Sequence, residues 1–229
     1  MSELSPHGRI AQVPLELIRT FLLEQFEVWM MPKSIKTDNG SPFGVPSRDV
    51  ISIMSLWLKA WGIVPILNRP RRPTDNAVVE RAQGTTSRWA EVEKCQNLVI
   101  LQQRLDEACI WQREKYPVTR LGSITRAKLY ESLGSKTRSY EHAIFDEKKA
   151  YEYLSELVMP RKVSESGMIM VYNKVLSVGA QHKRKLVRVK SSPTKPEWNI
   201  LDEKGNICKI IHDPRFSRER LFNLTCQRT

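Results

Sequence analysis

Two short extended runs, Ser34-Ile35-Lys36-Thr37 and Ile63-Val64-Pro65-Ile66-Leu67, flank a helix-length stretch, and that order constrains the fold more than any other feature of the chain. Strands joined through a helix need a crossover, so they pair side by side in the same direction. Before the first run, Leu15, Ile18, Leu22, Phe26 and Trp29 recur at three- and four-residue steps, the spacing of a helix with one apolar face. Pro14 suits the first helical position, and Glu16 suits the positive end of the helix dipole. Ser47 reads as the N-cap of the crossover helix, which runs through Trp61 and stops at Gly62. The second run is almost wholly apolar and reads as a strand buried on both faces. A further helix starting near Asp75 completes a helix–strand–helix–strand–helix unit over residues 14–90.

Downstream, the spacing predicts an amphipathic helix from Asn97 to Tyr116, with Leu98, Leu101, Leu105 and Ala108 on one face. Residues 117–146 are rich in loop signals, with a short helix near Arg126–Leu133, and Glu147 to Val158 reads as a last helix. After Met159-Pro160 the texture changes. Strand-like runs appear at Met168–Tyr172, Val175–Val178, Leu186–Lys190, Trp198–Asp202 and Ile207–Ile211, separated by turn signals such as Tyr172-Asn173-Lys174 and Lys204-Gly205-Asn206. Such closely spaced short strands predict a small antiparallel β-barrel. Trp198, alternating with Ile200, belongs to its core, as Trp57 and Trp61 belong to the core upstream. The fold class expected is thus α/β followed by β. Its domains are residues 1–92, a helical connector at 93–158 and a basic barrel at 159–229.

Charge follows the same division. Residues 1–158 carry 22 Lys/Arg and 19 Asp/Glu, net +3, while residues 159–229 carry 15 and 6, net +9. A basic module beside a nearly neutral one points to a polyanion, most simply nucleic acid. Its densest stretch is His182-Lys183-Arg184-Lys185, with Arg188 and Lys190 on the strand that follows. A second basic stretch, Arg69-Pro70-Arg71-Arg72-Pro73, is held extended by its prolines where it could track phosphates. The bland reading of both is a solvated surface. Cys95, Cys109, Cys208 and Cys226 are scattered and lack metal-ligand spacing, which fits a reducing compartment. No apolar run approaches the roughly 20 residues that span a bilayer. The N-terminal residues lack the charged and apolar regions of a signal peptide, so a cytoplasmic location is expected.

Two carboxylates stand out by position. Asp38 ends the first strand-like run and precedes Asn39-Gly40, a forced turn, at the kind of strand end where α/β sheets present ligands. Glu80 lies one turn into the helix that follows the second run. Taken singly, Asp38 serves its turn and Glu80 pairs with Arg81 on a surface. Taken together, across a strand–helix–strand unit, they suit the sparse carboxylate set that holds divalent cations for phosphodiester chemistry.

These blocks resemble those of the integrase and transposase family that cuts and joins DNA with an Asp, Asp, Glu metal site. Thr37-Asp38-Asn39-Gly40-Ser41-Pro42-Phe43 resembles its Asp-Asn-Gly block. Trp57-Leu58, followed by Trp61-Gly62-Ile63, is similar to its helix-to-strand junction. Asp75-Asn76-Ala77-Val78-Val79-Glu80-Arg81 resembles its Glu-bearing block. The separation of Asp38 from Glu80 exceeds the family's commonest spacing, and transposase branches with a longer insertion exist. The resemblance implies a partial RNase H-like core with Asp38 and Glu80 as catalytic, metal-binding residues for Mg²⁺ or Mn²⁺. It further implies double-stranded DNA as partner and a homo-oligomer as an assembly, and the two basic stretches offer Arg69, Arg71, Arg72, Lys183, Arg184, Lys185 and Arg188 as DNA contacts. One departure is plain. The family's first Asp rides on an earlier strand, yet residues 1–37 contain no Asp, and their acids are Glu3, Glu16, Glu24 and Glu27. The expectation is therefore an N-terminally truncated transposition protein, inactive as this chain. Helix 15–29 would cover part of the open sheet. The other readings are a non-catalytic DNA-binding module and an RNase H-like nuclease.

Overall fold

A computed structural model describes residues 13–44, 50–69, 72–133 and 138–226. The chain divides into two compact units, one formed by residues 1–67 with 139–229 and the other by residues 68–138. These units do not follow the boundaries read from the sequence near residues 92 and 159.

In the first unit, α1 (Leu15–Trp29) leads to β1 (Ser34–Thr37), and α2 (Ile53–Ala60) connects it to β2 (Val64–Leu67). The two strands pair in parallel, Ser34 opposite Val64 and Thr37 opposite Leu67, as the crossover requires. The start of α2 differs from expectation. Ser52 is its N-cap, accepting the Ser55 N–H at 3.0 Å, and Ser47 lies outside the described residues. The Ser52 hydroxyl also donates to the Phe43 carbonyl at 2.6 Å, fastening the preceding loop to the helix start. At the other end Gly62, with φ 69°, donates to the Lys59 carbonyl at 2.8 Å and stops the helix.

The burial of β2 corrects the expectation of a strand covered on both faces. Ile63 just before it is fully buried, but Val64, Ile66 and Leu67 are 46%, 42% and 45% exposed. The reason is the pairing: among the described residues this sheet has only β1 and β2. Neither strand has the flanking neighbours that bury a parallel sheet.

A single core explains why no boundary falls near Met159. Trp57 is completely buried, and its indole N–H donates to the Phe222 carbonyl at 3.1 Å, 165 residues away. Around it lie Phe26, stacked at 6.4 Å between ring centroids, and Trp61, which meets Phe145 and Phe222. Farther along, the Tyr172 hydroxyl donates to the Ile51 carbonyl at 2.8 Å and accepts the Ile51 N–H at 3.2 Å. Helix α6 (Glu147–Ser155) presents Ala150, Tyr151 and Leu154 to the same core. Burial pushes the Tyr151 hydroxyl up to about 12, so it stays protonated and donates to the Phe216 carbonyl at 2.7 Å. Apolar residues from Phe26 to Cys226 thus form one continuous cluster.

The strands after α6 form two antiparallel sheets. β3 (Val158–Lys162), β6 (Leu186–Ser191), β7 (Glu197–Leu201) and β8 (Ile207–His212) pair in that order, while β4 (Met168–Val171) pairs with β5 (Lys174–Ser177). Among the described residues these pairings do not close into a barrel ring. Strand β3 was concealed in the sequence by Pro160, which reads as a helix terminator. It is an edge strand, the place where a residue without an N–H is tolerated. Trp198 and Ile200 face inward, as their alternation predicts.

The second unit holds α3 (Ala77–Ala90), α4 (Leu98–Ile110) and α5 (Arg126–Leu133). Asn97 caps α4 by accepting the Ile100 N–H at 2.9 Å. The helix does not run unbroken to Tyr116, because Trp111–Lys115 form a π-helical turn. Nor is its face as expected: Ala108 is buried, but Leu98 is 71% exposed.

Candidate nucleic-acid interface

The C-terminal sheet has two unlike faces, and strand alternation makes them so. On β6, Val187, Val189 and Ser191 are buried while Leu186, Arg188 and Lys190 are exposed. On β3, Met159 is buried while Val158, Pro160 and Lys162 are exposed. The register sets Lys162 opposite Leu186, Pro160 opposite Arg188, and Val158 opposite Lys190. The solvent face of this strand pair therefore carries Lys162, Arg188 and Lys190. Lys183 and Lys185 lie in the turn that feeds β6 and are exposed as well. Val163, directly after Lys162, donates to the Lys185 carbonyl at 3.0 Å, which brings that turn to the end of β3.

Several of the cations named from the sequence already have partners. The Arg184 Nε donates to the Glu165 carboxylate, and Arg184 itself takes a left-handed backbone with φ 63°. The Arg188 guanidinium donates to the Asp202 and Glu203 carbonyls, both at 3.3 Å, so it braces the β7–β8 turn. In the second unit Arg69 makes a bidentate pair with Asp75, Nε and Nη2 lying 3.0 and 2.7 Å from its two oxygens. That hydrogen bond, with the Asp75 charge, raises the Arg69 pKa still further. The pair is made within the chain's own residues 69–75, with the Arg69 side chain still largely exposed. Arg72 is exposed, and Arg71 lies outside the described residues. Lys162 was missed because its strand was missed: without β3, the alternation of Val158, Pro160 and Lys162 could not be read.

Asp38 stands at the end of β1, as predicted, and belongs to the first unit. One of its carboxylate oxygens accepts the Gly40 N–H at 3.0 Å, so it orders the Asn39-Gly40 turn. Glu80 lies in the first turn of α3 and belongs to the second unit. Among the described residues no group of three or more His, Cys, Asp or Glu gathers where it could hold a metal ion.

Beneath the basic face lies a buried polar cluster that sequence reading did not single out. Asp213 is fully buried and accepts the Trp198 indole N–H at 2.9 Å and the Arg215 Nη2 at 2.7 Å. Arg215 also donates to the Tyr172 and Val171 carbonyls at 2.7 and 3.2 Å. Burial alone would raise the Asp213 pKa, but the hydrogen bonds from Arg215 and Trp198 and the Arg215 charge outweigh it. They hold the carboxyl below the ordinary range. The cluster ties the end of β4 to β7 and to the turn after β8, and so keeps the basic sheet in shape. Only the short spacing of Asp213 and Arg215 hinted at it.

A comparison with protein-family models finds no match to this chain, and neither does a comparison with curated proteins. No described helix is long and apolar enough to cross a membrane.

Proposed function

We propose that this chain is a DNA-handling protein of integrase or transposase type that holds duplex DNA by its backbone on the C-terminal sheet. The observation that supports it best is the solvent face of β3 and β6, where Lys162, Arg188 and Lys190 share one side with Lys183 and Lys185 close by. Residues on alternate positions of a strand lie about 6.6–6.8 Å apart, so the face is a row of charge rather than a pocket. A row without convergent donors suits a repeating polyanion and favours phosphate contact over base reading. The net +9 of residues 159–229 gives the same sign over the whole region.

The carboxylate blocks supply the rest of the reading. The sequence around Asp38 and Glu80 resembles that of enzymes that join DNA, and β1 and β2 pair in parallel as such a core requires. In that resemblance these two residues would help hold Mg²⁺ or Mn²⁺. Residues 1–37 offer no Asp to complete the set that the resemblance calls for, and the Asp38 carboxylate orders its own turn. The proposed activity is therefore binding, with no DNA joining by this chain alone.

The test is a salt titration of duplex binding by the purified chain. Affinity should fall linearly on a log–log scale, and each of Lys162→Gln, Lys183→Gln and Lys185→Gln should lower the slope by about 1 where that lysine meets a phosphate. Binding that ignores salt, or none at low ionic strength, would refute the reading. Strand transfer by the wild-type chain with Mg²⁺ or Mn²⁺, abolished by Glu80→Gln, would refute the absence of joining.

A further inference from the structure

The second unit keeps its largest aromatic residues on the outside. Trp89, Trp111 and Tyr116 are 40%, 56% and 48% exposed, while the apolar side chains it buries among its described residues are those of Ala90 and Ala108. Trp89 lies in the last turn of α3, and its ring meets that of Tyr116 edge-to-face with centroids 5.4 Å apart. Trp111 opens the π-helical turn, and Tyr116 closes it by donating its N–H to the Trp111 carbonyl at 3.0 Å. An i→i+5 bond sets residue 116 one turn beyond residue 111 on the same side. The 3.6-residue period of an α-helix would carry it well around the axis.

The turn is anchored from within. Gln112 is buried, its side-chain amide donates to the Thr86 hydroxyl at 2.7 Å, and its backbone carbonyl accepts Arg126 Nη1 at 2.8 Å. With Gln112 fixed inward, its neighbour Trp111 is left facing solvent. Basic side chains lie in the same segments: Arg88 beside Trp89, and Lys115 beside Tyr116, are both exposed. Residues 68–138 carry 14 Lys/Arg and 8 Asp/Glu, net +6, so the aromatic face belongs to a positively charged unit.

We propose that the face formed by Trp89, Trp111 and Tyr116 is a stacking platform for single-stranded DNA, with Arg88 and Lys115 facing its phosphates. Ring faces combined with positive charge suit unpaired bases, which offer a π-face that duplex bases keep stacked inside the helix. A protein partner would use the same rings but would not need the unit's charge. The proposal rests on the DNA reading of the chain while using a surface distinct from the C-terminal sheet. It assigns that surface to strands that are open or being opened.

The test uses the full chain with labelled oligo(dT) and, in parallel, a labelled duplex. Trp111→Ala should weaken oligo(dT) binding roughly 5- to 150-fold, the span of one base–aromatic stack, and Trp111→Phe should restore most of it. Duplex binding should stay within twofold for both variants. Lys183→Gln with Lys185→Gln should do the reverse, lowering duplex binding while sparing oligo(dT). Unchanged oligo(dT) affinity in Trp111→Ala overturns the platform. So does a loss that follows the lysine variants alone. A Trp111→Ala change in sedimentation of the free protein, with oligo(dT) binding intact, overturns it in favour of self-association. If duplex binding is absent while oligo(dT) binding depends on Trp111, the sheet reading fails and the platform stands.

Discussion

The unit formed by residues 1–67 and 139–229 buries Trp57, Trp198, Met31, Leu154 and Ile200 almost completely, whereas the unit of residues 68–138 buries Ala90 and Ala108. The first is held by large apolar side chains that meet across long sequence distances. The second is held by helices in contact through small residues and pinned by polar bonds, notably Gln112 to Thr86 and Arg104 to Glu91 at 3.0 Å. Burying a large side chain stabilises by roughly 1.5–3 kcal/mol, against about 0.5–1.5 kcal/mol net for a hydrogen bond. The second unit should therefore be the weaker, and it leaves Trp89, Trp111 and Tyr116 exposed. It spends Trp89 and Trp111 on its surface, where the first unit uses Trp57 and Trp198 as core.

The largest expected effect is in the first unit. Trp198→Ala should cost about 3–5 kcal/mol, as large aromatic deletions in cores do. It also deprives Asp213 of a hydrogen-bond donor. Urea unfolding followed by amide hydrogen exchange would measure it. The comparison predicts lost protection in α2, α6 and the sheets, with α3 and α4 little changed. Equal loss in both units would show that they unfold as one and would break the comparison.

A second prediction concerns acid. Asp213 has a folded-state pKa below its unfolded value of about 3.9, so its stabilisation is fully present above that value. It is lost as pH falls through the lower, folded value. The urea midpoint of the first unit should drop in that acidic window, and Asp213→Asn should flatten the drop. Asp213→Ala at neutral pH should cost about 3–5 kcal/mol, because Arg215 is left buried without its carboxylate. A variant that loses stability with falling pH as steeply as the wild type would assign the effect to other carboxylates.

Smaller effects should sharpen the contrast from the other side. Gln112→Ala should cost the second unit about 1–3 kcal/mol, the penalty for unpairing a buried polar group such as its Thr86 bond. Hydrogen exchange should report this in residues 77–133 and spare residues 53–60. Smallest of all, Gly84→Ala should stabilise α3 by about 0.5–1 kcal/mol, since alanine is favoured in a helix interior. A Cβ at Gly84 meets nothing within 4 Å, so no packing opposes the gain. A loss of stability there would point to a close approach that the unit by itself does not show.

How much of this was legible in the sequence differs by element. The parallel pairing of β1 and β2, the stop at Gly62, the Asx turn at Asp38, the span of α5 and the inward set of Trp57, Trp61 and Trp198 all follow from local spacing and turn chemistry. The α2 cap at Ser52 rather than Ser47, strand β3 with its internal Pro160, and the π turn at Trp111 were not readable. Ser47 and Ser52 both satisfied the capping rule, while Pro160 argued locally against a strand that its edge position tolerates. The candidate interface was legible as charge but not as geometry. Lys183 and Lys185 are exposed as expected, Lys162 joined the face only when β3 was placed, and Arg69, Arg184 and Arg188 had partners already.

By itself the sequence determined the helix–strand–helix–strand–helix order of residues 14–90, the direction of the first strand pair and the sign of the charge. Those depend on backbone preferences and side-chain spacing within a few residues, which the chain carries wherever it goes. The tertiary structure alone decided which cations remain available and which segments share a core. Arg184 is engaged because Glu165 comes beside it, and Arg188 because the carbonyls of Asp202 and Glu203 do. Tyr172 reaches Ile51 across 121 residues, and Trp57 reaches Phe222 across 165. A hydrogen bond or an apolar contact acts over a few ångströms, so its partners are set by how the chain returns on itself and not by their distance along it.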